Sequence, residues 1–350
     1  MRLNHITPAR PAIASMSTEA PERPLTADDG TGVAAAGPAK KRMLVIVNPY
    51  ATTVSDRLKN LVVYALQGRY DVTAVATEAR AHAIEIGREA RDGGYDVVVA
   101  FGGDGTLNEV ANGLAGTRVP VSVLPGGSTN VVCRTLGIPD DVVDAAEHLL
   151  GLADDFNPRP IDLGVVNGRR FVFACGAGLD AAVVRRVDSH PKLKAKTGEW
   201  YFTWSAVSAF YRTYLRDPVR MRLELDGEAV EGITAIAQNS DPYTYFRDQP
   251  VKVCAGAALD NGTLSVAMLK RAAQRDVPTI AARVLTDRLP TPDHRQIEHF
   301  EGVTTARVES ISRDSEGTLR SFPLQVDGDY IGEHTELDLA IEPAALTIVA

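Results

Sequence analysis

Cysteine, tryptophan and long apolar runs are what this chain has least of, and each shortage excludes something. Its 350 residues include three cysteines, Cys133, Cys175 and Cys254. They are odd in number and widely spaced, which fits neither a disulfide framework nor a metal site, so reduced thiols in a cytosol are expected. No apolar stretch approaches the ~20 residues of a bilayer-spanning helix. The first residues lack the continuous apolar segment of a secretory signal. No histidine pair has ligand spacing, and no nucleophilic triad is legible. Lys and Arg number 37 against 45 Asp and Glu, a formal net charge of −8. That balance argues against general nucleic-acid binding, which rests on neutralising phosphates, although a local basic patch remains compatible with it. No internal repeat is visible.

What is present is organised in two styles. Residues 1 to 41, rich in Pro, Ala, Thr and Gly, read as a disordered tail, with Met16 as an alternative start. From residue 42 apolar strand patterns alternate with helical ones. "MLVIVNP", "YDVTAVAT", "YDVVVAFG" and "VSVLP" are the strands. Leu58, Leu61, Val62 and Ala65 mark one helical face, "AHAIEIGREAR" a second helix, and Leu107, Val110, Ala111 and Leu114 a third. Further helices are expected around 129–136 and 141–151. The alternation predicts a parallel α/β domain over 42–160, its sheet covered on both faces. Beyond it, "VRMRLEL" alternates strictly, with Val219, Met221, Leu223 and Leu225 on one face. "ITAIAQNS", "TLSVAML", "TTARVESI" and "ELDLAIE" follow, several bounded by Gly turns. They predict a mostly antiparallel β domain over 161–350, its last strands returning to the first domain. A cleft between two such domains is the expected ligand site.

The most informative stretch is "VVVAFGGDGTLNEVANGL", where a strand becomes a helix through Gly102, Gly103, Asp104 and Gly105. A glycine turn at the end of a parallel strand exposes main-chain N–H groups, and the helix that follows adds its positive end, which suits phosphate. Thr106 and Glu109 have capping-box spacing, marking the helix start. A carboxylate here repels phosphate unless a divalent cation lies between, so Asp104 suggests a Mg²⁺-nucleotide site. A plain turn with Asp104 as helix cap is the alternative. "LPGGSTN" adds Gly126, Gly127, Ser128, Thr129 and Asn130 at the next strand end, and "NPYATT" follows the first strand. No Walker lysine follows the glycines, which excludes a P-loop. "GAGLDA", with Gly176, Gly178 and Ala181, matches dinucleotide spacing but lies where the βα rhythm fails, and it reads as structural. His82 reads equally as a nucleotide contact or as helix-end packing.

At "NPYAT", "GGDGTLNEV", "LPGGSTN" and "VDGDYIG", in that order, the chain resembles the diacylglycerol-kinase catalytic family, bacterial lipid kinases related to sphingosine and ceramide kinases. "RPIDLGVVNGRRFVFACGAGLDA" and "ALDNGTLSV" extend the likeness to roughly residues 42 to 350. "GGDGT" alone is shared with NAD kinases; the full set is more specific. The resemblance implies ATP held by Asn48, Pro49, Tyr50, Ala51 and Thr52, by Thr77, and by the loop from Gly102 and Gly103 through Asp104, Gly105, Thr106, Leu107 and Asn108 to Glu109. Gly127, Ser128 and Asn130 complete that set. It implies Mg²⁺ associated with Asp104 and Asp162, a structural metal near Asn261, and Asp327 as the base that activates a lipid hydroxyl. Three residues depart from the family pattern. Val131 stands where an Asp often joins the metal network. Asn261 replaces an Asp, and Asp329 replaces a Glu, which makes Asp329 a second candidate for the base.

The resulting expectation is an ATP- and Mg²⁺-dependent lipid kinase of phospholipid biosynthesis, cytoplasmic and peripheral to the membrane. Its partners are a lipid substrate at the membrane surface and, where it assembles at all, a second copy as a homodimer, with no nucleic acid. An NAD-kinase-like enzyme with a soluble acceptor and a weakly active lipid- or nucleotide-binding protein are the alternatives. "PKLKAKTGEWYFTWSAVSAFYRTYLR" holds Trp200, Tyr201, Phe202, Trp204, Phe210, Tyr211 and Tyr214, with positions 200, 204, 207, 211 and 214 on one helical stripe between basic residues. It reads as a core helix of the second domain or as a membrane-interface helix.

Overall fold

The computed structural model describes residues 39–189, 217–246, 249–271, 273–284 and 290–350. The tail before residue 39 and the aromatic segment from 190 to 216 lie outside the described residues. Among those described, no helix is long and apolar enough to cross a membrane, and the three cysteines are free and buried.

The first lobe has four parallel strands: β1 (Arg42–Val47), β2 (Asp71–Ala76), β3 (Val97–Gly102) and β4 (Val121–Pro125), ordered β2-β1-β3-β4. β1, β3 and β4 are almost wholly buried, as continuous apolar runs require when helices cover both faces. Those helices are α1 (Asp56–Leu66), α2 (His82–Ala90), α3 (Asp104–Leu114), α4 (Val131–Thr135) and α5 (Val142–Gly151). Leu107, Val110, Ala111 and Leu114 of α3 are all buried in the core beneath the sheet, as their spacing predicts.

The second lobe opens with β5 (Arg159–Val166), β6 (Arg169–Phe171), β7 (Ala174–Gly178) and α6 (Leu179–Asp188). β8 (Met221–Leu225), β9 (Glu228–Gly232), β10 (Thr234–Gln238), β11 (Thr244–Phe246), β12 (Gln249–Val251) and β13 (Leu264–Leu269) follow. After α7 (Val277–Val284) come β14 (Ile297–Val303), β15 (Thr305–Ser310), β16 (Phe322–Val326), β17 (Asp329–His334) and β18 (Glu336–Ile348). An antiparallel sheet β14-β13-β10-β7-β16-β17 faces the β18-β15-β8-β9 region across a core. Met221, Leu223 and Leu225 point into that core while Arg222 and Glu224 of β8 point away, the period of two that their alternation demands.

One strand joins the lobes. β18 pairs with β15 and β5, and its end adds in parallel to β4 at Ile348 and Val121. The first sheet therefore continues into the second lobe, which fixes the cleft wall. β18 changes register between Glu342 and Leu346, where Ala344 adopts φ 52°. A non-glycine residue there costs energy, and the Ala344 N–H is held by the buried Asp162 carboxylate at 2.8 Å.

Candidate functional site

A cleft of about 890 Å³ opens over the C-terminal ends of β1, β3 and β4. Open α/β sheets bind ligands at such strand ends, because main-chain N–H groups and helix starts converge there. The three turns are stitched together by backbone. Gly126 N–H donates to the Gly102 carbonyl at 2.8 Å, and Thr53 N–H donates to the Gly126 carbonyl at 3.2 Å. Asn48 ties the first turn to α3, its Nδ2 donating to Thr106 Oγ1 at 3.1 Å while its Oδ1 accepts from Tyr50 N–H. A Cβ on Gly127 would lie 2.9 Å from Gly103 Cα, so the two glycine loops touch main chain to main chain.

Asp104 begins α3 and reaches across to α4. Its carboxylate accepts from the N–H groups of Val131 at 3.0 Å and Val132 at 3.1 Å. It therefore caps a helix, but not its own. Removal from water pushes its pKa up to about 6 against these hydrogen bonds, and the charge of Asp329 pushes the same way. The capping box expected from Thr106 and Glu109 does not form. Gly103 is the N-cap of α3 without a side-chain bond, and Thr106 Oγ1 is taken by Asn48. Glu109 instead accepts from Ala81 N–H at 2.9 Å and Ala83 N–H at 3.2 Å, serving the start of α2.

From the opposite side comes the hairpin of β16 and β17. Asp327 and Gly328 form its two-residue turn, with φ of 46° and 81°, the geometry that favours Asp-Gly. Asp327 is only 2% exposed. Its carboxylate accepts from the N–H groups of Val172 (2.7 Å), Phe173 (2.9 Å) and Ala174 (3.1 Å), and from Asn108 Nδ2 (2.8 Å). These four donors match the acceptor capacity of a carboxylate. Burial still outweighs them and raises its pKa to about 6. Asp329 is half-buried and lies against Gly105, where any Cβ would overlap its carboxylate. Both carboxylates line the cleft, and Asp329 is the more exposed of the two.

Asn48, Tyr50, Ala51, Thr52, Thr77, Gly103, Asp104, Gly105, Thr106, Glu109, Gly127 and Ser128 all line this cleft, with Asp327 and Asp329. Pro49, Gly102, Leu107, Asn108 and Asn130 do not. Leu107 is core, Asn108 supports Asp327, and Asn130 closes its own loop on Gly127. Asp162 and Asn261 also lie off the lining. Asp162 accepts from Gly262 N–H at 2.6 Å and from Ala344 N–H, and Asn261 Oδ1 accepts from Thr263. The structure therefore does not bring Asp162 to Asp104. His82 Nδ1 accepts from Glu78 N–H at 3.0 Å, a helix-start role.

The residues at the foot of the cleft fit a Mg²⁺ that arrives with phosphates. Such ions are held by one or two carboxylates plus substrate oxygens, and Asp104 supplies a carboxylate at the glycine loop. Among the described residues no group of three or more His, Cys, Asp or Glu could by itself hold a metal.

Other lining residues are assigned no role from the sequence: Arg169, Phe173, Asp180, Tyr243, Tyr245 and Ile331. Asp180 Oδ1 accepts from Tyr243 OH at 2.5 Å, and its Oδ2 accepts from Gln325 Nε2 at 2.9 Å. Gln325 Oε1 in turn accepts from Gly328 N–H. Asp180 lies within "GAGLDA", whose glycines shape the passage from β7 into α6, with Gly178 at φ 89°. The carboxylate within that motif is the signal that could have been followed.

Comparison with known proteins agrees with this architecture. The family model described as diacylglycerol kinase catalytic domain matches residues 42–166. One described as YegS C-terminal NAD kinase beta sandwich-like domain matches residues 174–350. A diacylglycerol kinase of Bacillus subtilis strain 168 is 29% identical over 302 residues, covering 83% of this chain and 91% of the relative. One of Staphylococcus aureus strain MRSA252 is 31% identical, over 84% of this chain and 88% of the relative. The crystal structure of a candidate diacylglycerol kinase of Bacillus anthracis strain Sterne superposes with a TM-score of 0.69 at 23% identity, covering 90% of this chain and 97% of that one. At that identity it speaks for the fold.

Proposed function

This chain belongs to the diacylglycerol kinase catalytic domain family, a family of lipid kinases, and on that premise we propose that it transfers the γ-phosphoryl group of ATP to a hydroxyl of diacylglycerol or a related lipid alcohol. One observation carries the reading. Glycine loops suited to phosphate and an ionisable hairpin carboxylate share a cleft with the apolar side chains Phe173, Val183, Val184 and Ile331.

The triphosphate rests on the N–H groups of the Gly103–Gly105 turn and of Ser128, with Asn48 fixing the first turn against α3 and Asn130 holding the Gly127 N–H. Asp104, at the foot of the cleft, would hold a Mg²⁺ arriving with the nucleotide, and that ion would neutralise the charge of the phosphates. The acceptor lipid lies along the apolar wall with its hydroxyl toward the hairpin. A lipid alcohol is a poor nucleophile at neutral pH, so its proton must leave as oxygen bonds to phosphorus. Asp329 accepts that proton. Asp327 keeps the hairpin in place, since its lone pairs already serve four donors from α3 and the β6–β7 junction. A lipid acceptor puts the enzyme at a membrane surface, peripheral to it and on the side where ATP is available.

Labelled γ-phosphate offered with diacylglycerol, sphingoid base and ceramide in mixed micelles tests this. Label in a lipid phosphate, dependent on Mg²⁺, is expected. Label only in a soluble acceptor such as NAD, or in no acceptor at all, overturns it.

A further inference from the structure

Resting on the kinase reading above, we propose that Arg169 is a further catalytic residue, whose guanidinium contacts the phosphoryl group as it passes from nucleotide to lipid. Among the described residues, the basic side chains lining the cleft are Arg80 and Arg169. Arg80 is exposed, in the turn before α2 on the nucleotide side. Arg169 opens β6, on the same side as the Asp327–Asp329 hairpin.

Arg169 shares its cleft with carboxylates and pairs with none of them. Asp104, Asp327 and Asp329 line the same cleft, yet Arg169 forms no ion pair among the described residues. Its hydrogen bond runs from Nη2 to Asn108 Oδ1 at 3.0 Å, and its Nε is buried without a partner. Its neighbour Arg170 shows the contrast, gripping Glu342 through Nε at 2.6 Å and Nη2 at 3.1 Å. A guanidinium keeps its charge at any physiological pH and offers five N–H donors, so most of those on Arg169 still lack an acceptor. A partly desolvated cation without a counter-charge is costly, and a phosphate supplies both charge and acceptors.

Its place specifies which phosphate. Asn108 sits one turn into α3, the helix that begins at the glycine loop, and the same Asn108 donates to Asp327. Arg169 thus docks between the loop that holds the nucleotide and the hairpin that faces the acceptor. In the step there, the bond from the γ-phosphorus to the β–γ bridging oxygen breaks and its electron pair leaves with ADP. The lipid oxygen bonds to phosphorus, and its proton passes to Asp329. Arg169 loses no proton and neutralises the non-bridging oxygens throughout.

Two variants separate contact from mere positioning. Arg169→Gln keeps an N–H for Asn108 Oδ1 but carries no charge, and Arg169→Lys keeps the charge without the fork. For Arg169→Gln, turnover is expected to fall by roughly 10³-fold at unchanged KM for the lipid, the scale of an arginine that serves phosphoryl transfer. Its affinity for ADP stays at the wild-type value while its affinity for ATP weakens, and Arg169→Lys recovers part of the turnover. Turnover of Arg169→Gln within ten-fold of wild type would leave Arg169 as a support for Asn108 and overturn the proposal. A parallel loss of ADP and ATP affinity would overturn it equally. Should the wild-type protein phosphorylate no lipid, the kinase reading fails, while the ATP-against-ADP comparison still decides whether Arg169 meets the terminal phosphate.

Discussion

On the glycine-loop side of the cleft the working groups are main-chain atoms, whereas on the opposite side they are side chains that main chain holds. The first side is three turns locked to each other by Gly126, Gly102 and Thr53 hydrogen bonds, with glycines where loops touch. The second is a hairpin carboxylate, a guanidinium and the Asp180–Tyr243–Gln325 cluster, each aimed by partners far away in sequence. The difference suits two ligands of different kinds. A polyphosphate presents the same oxygens in every nucleotide, so a rigid rim of N–H groups serves it. An acceptor hydroxyl on a lipid must be deprotonated and told from water, which needs side chains of particular chemistry.

That contrast can be broken most severely at Asp104, the carboxylate within the glycine loop of the backbone-built side. Asp104→Asn removes the charge and sets an amide N–H against the N–H of Val131 or Val132. Activity should fall by roughly 10³-fold, as when a charge that serves phosphoryl transfer is lost. Near-normal turnover would reduce Asp104 to a cap.

Acid should act on both sides together. Burial raises Asp104 and Asp327 to about 6, so each becomes neutral as pH drops through 6, whereas exposed carboxylates hold their charge to about 4. kcat/KM should therefore decline below pH 6 and be down at least about ten-fold at pH 5. A flat profile to pH 4.5 would show that neither carboxylate must be charged.

A smaller effect is expected from Gly127→Ala. Its Cβ would lie 2.9 Å from Gly103 Cα, and main chain on both sides has nowhere to go. Overpacking of this kind costs about 1–3 kcal/mol, read as a lower Tm together with weaker ATP binding. Asn48→Ala removes the links to Thr106 and Tyr50 and should cost about 1 kcal/mol in stability, with turnover changed only a few-fold.

The same division explains what could be read before any coordinates. Backbone sites need glycine, so "GGDGT" and "LPGGSTN" announce the glycine rim of the cleft, and period and alternation announce both lobes down to the inward face of β8. Side-chain sites assembled across distance carry less local pattern: "VDGDYIG" points to Asp327, but nothing beside it points to its partners. Arg169 and Asp327 are 158 positions apart in the sequence and meet through Asn108. Glu109 has the spacing of a capping box, yet its carboxylate accepts from the Ala81 and Ala83 N–H groups at the start of α2, partners that lie 28 and 26 positions away. Asp162 looks like a metal ligand in a motif and is held as an acceptor for the strained Ala344.

The division of labour across the cleft is tested most directly by ATP affinity measured beside lipid phosphorylation in Asp329→Asn. ATP binding at the wild-type level with transfer reduced by roughly 10²–10⁴-fold, the range for removing a general base, is the predicted result. Transfer close to wild type, or a loss of ATP affinity as large as the loss of transfer, would contradict it.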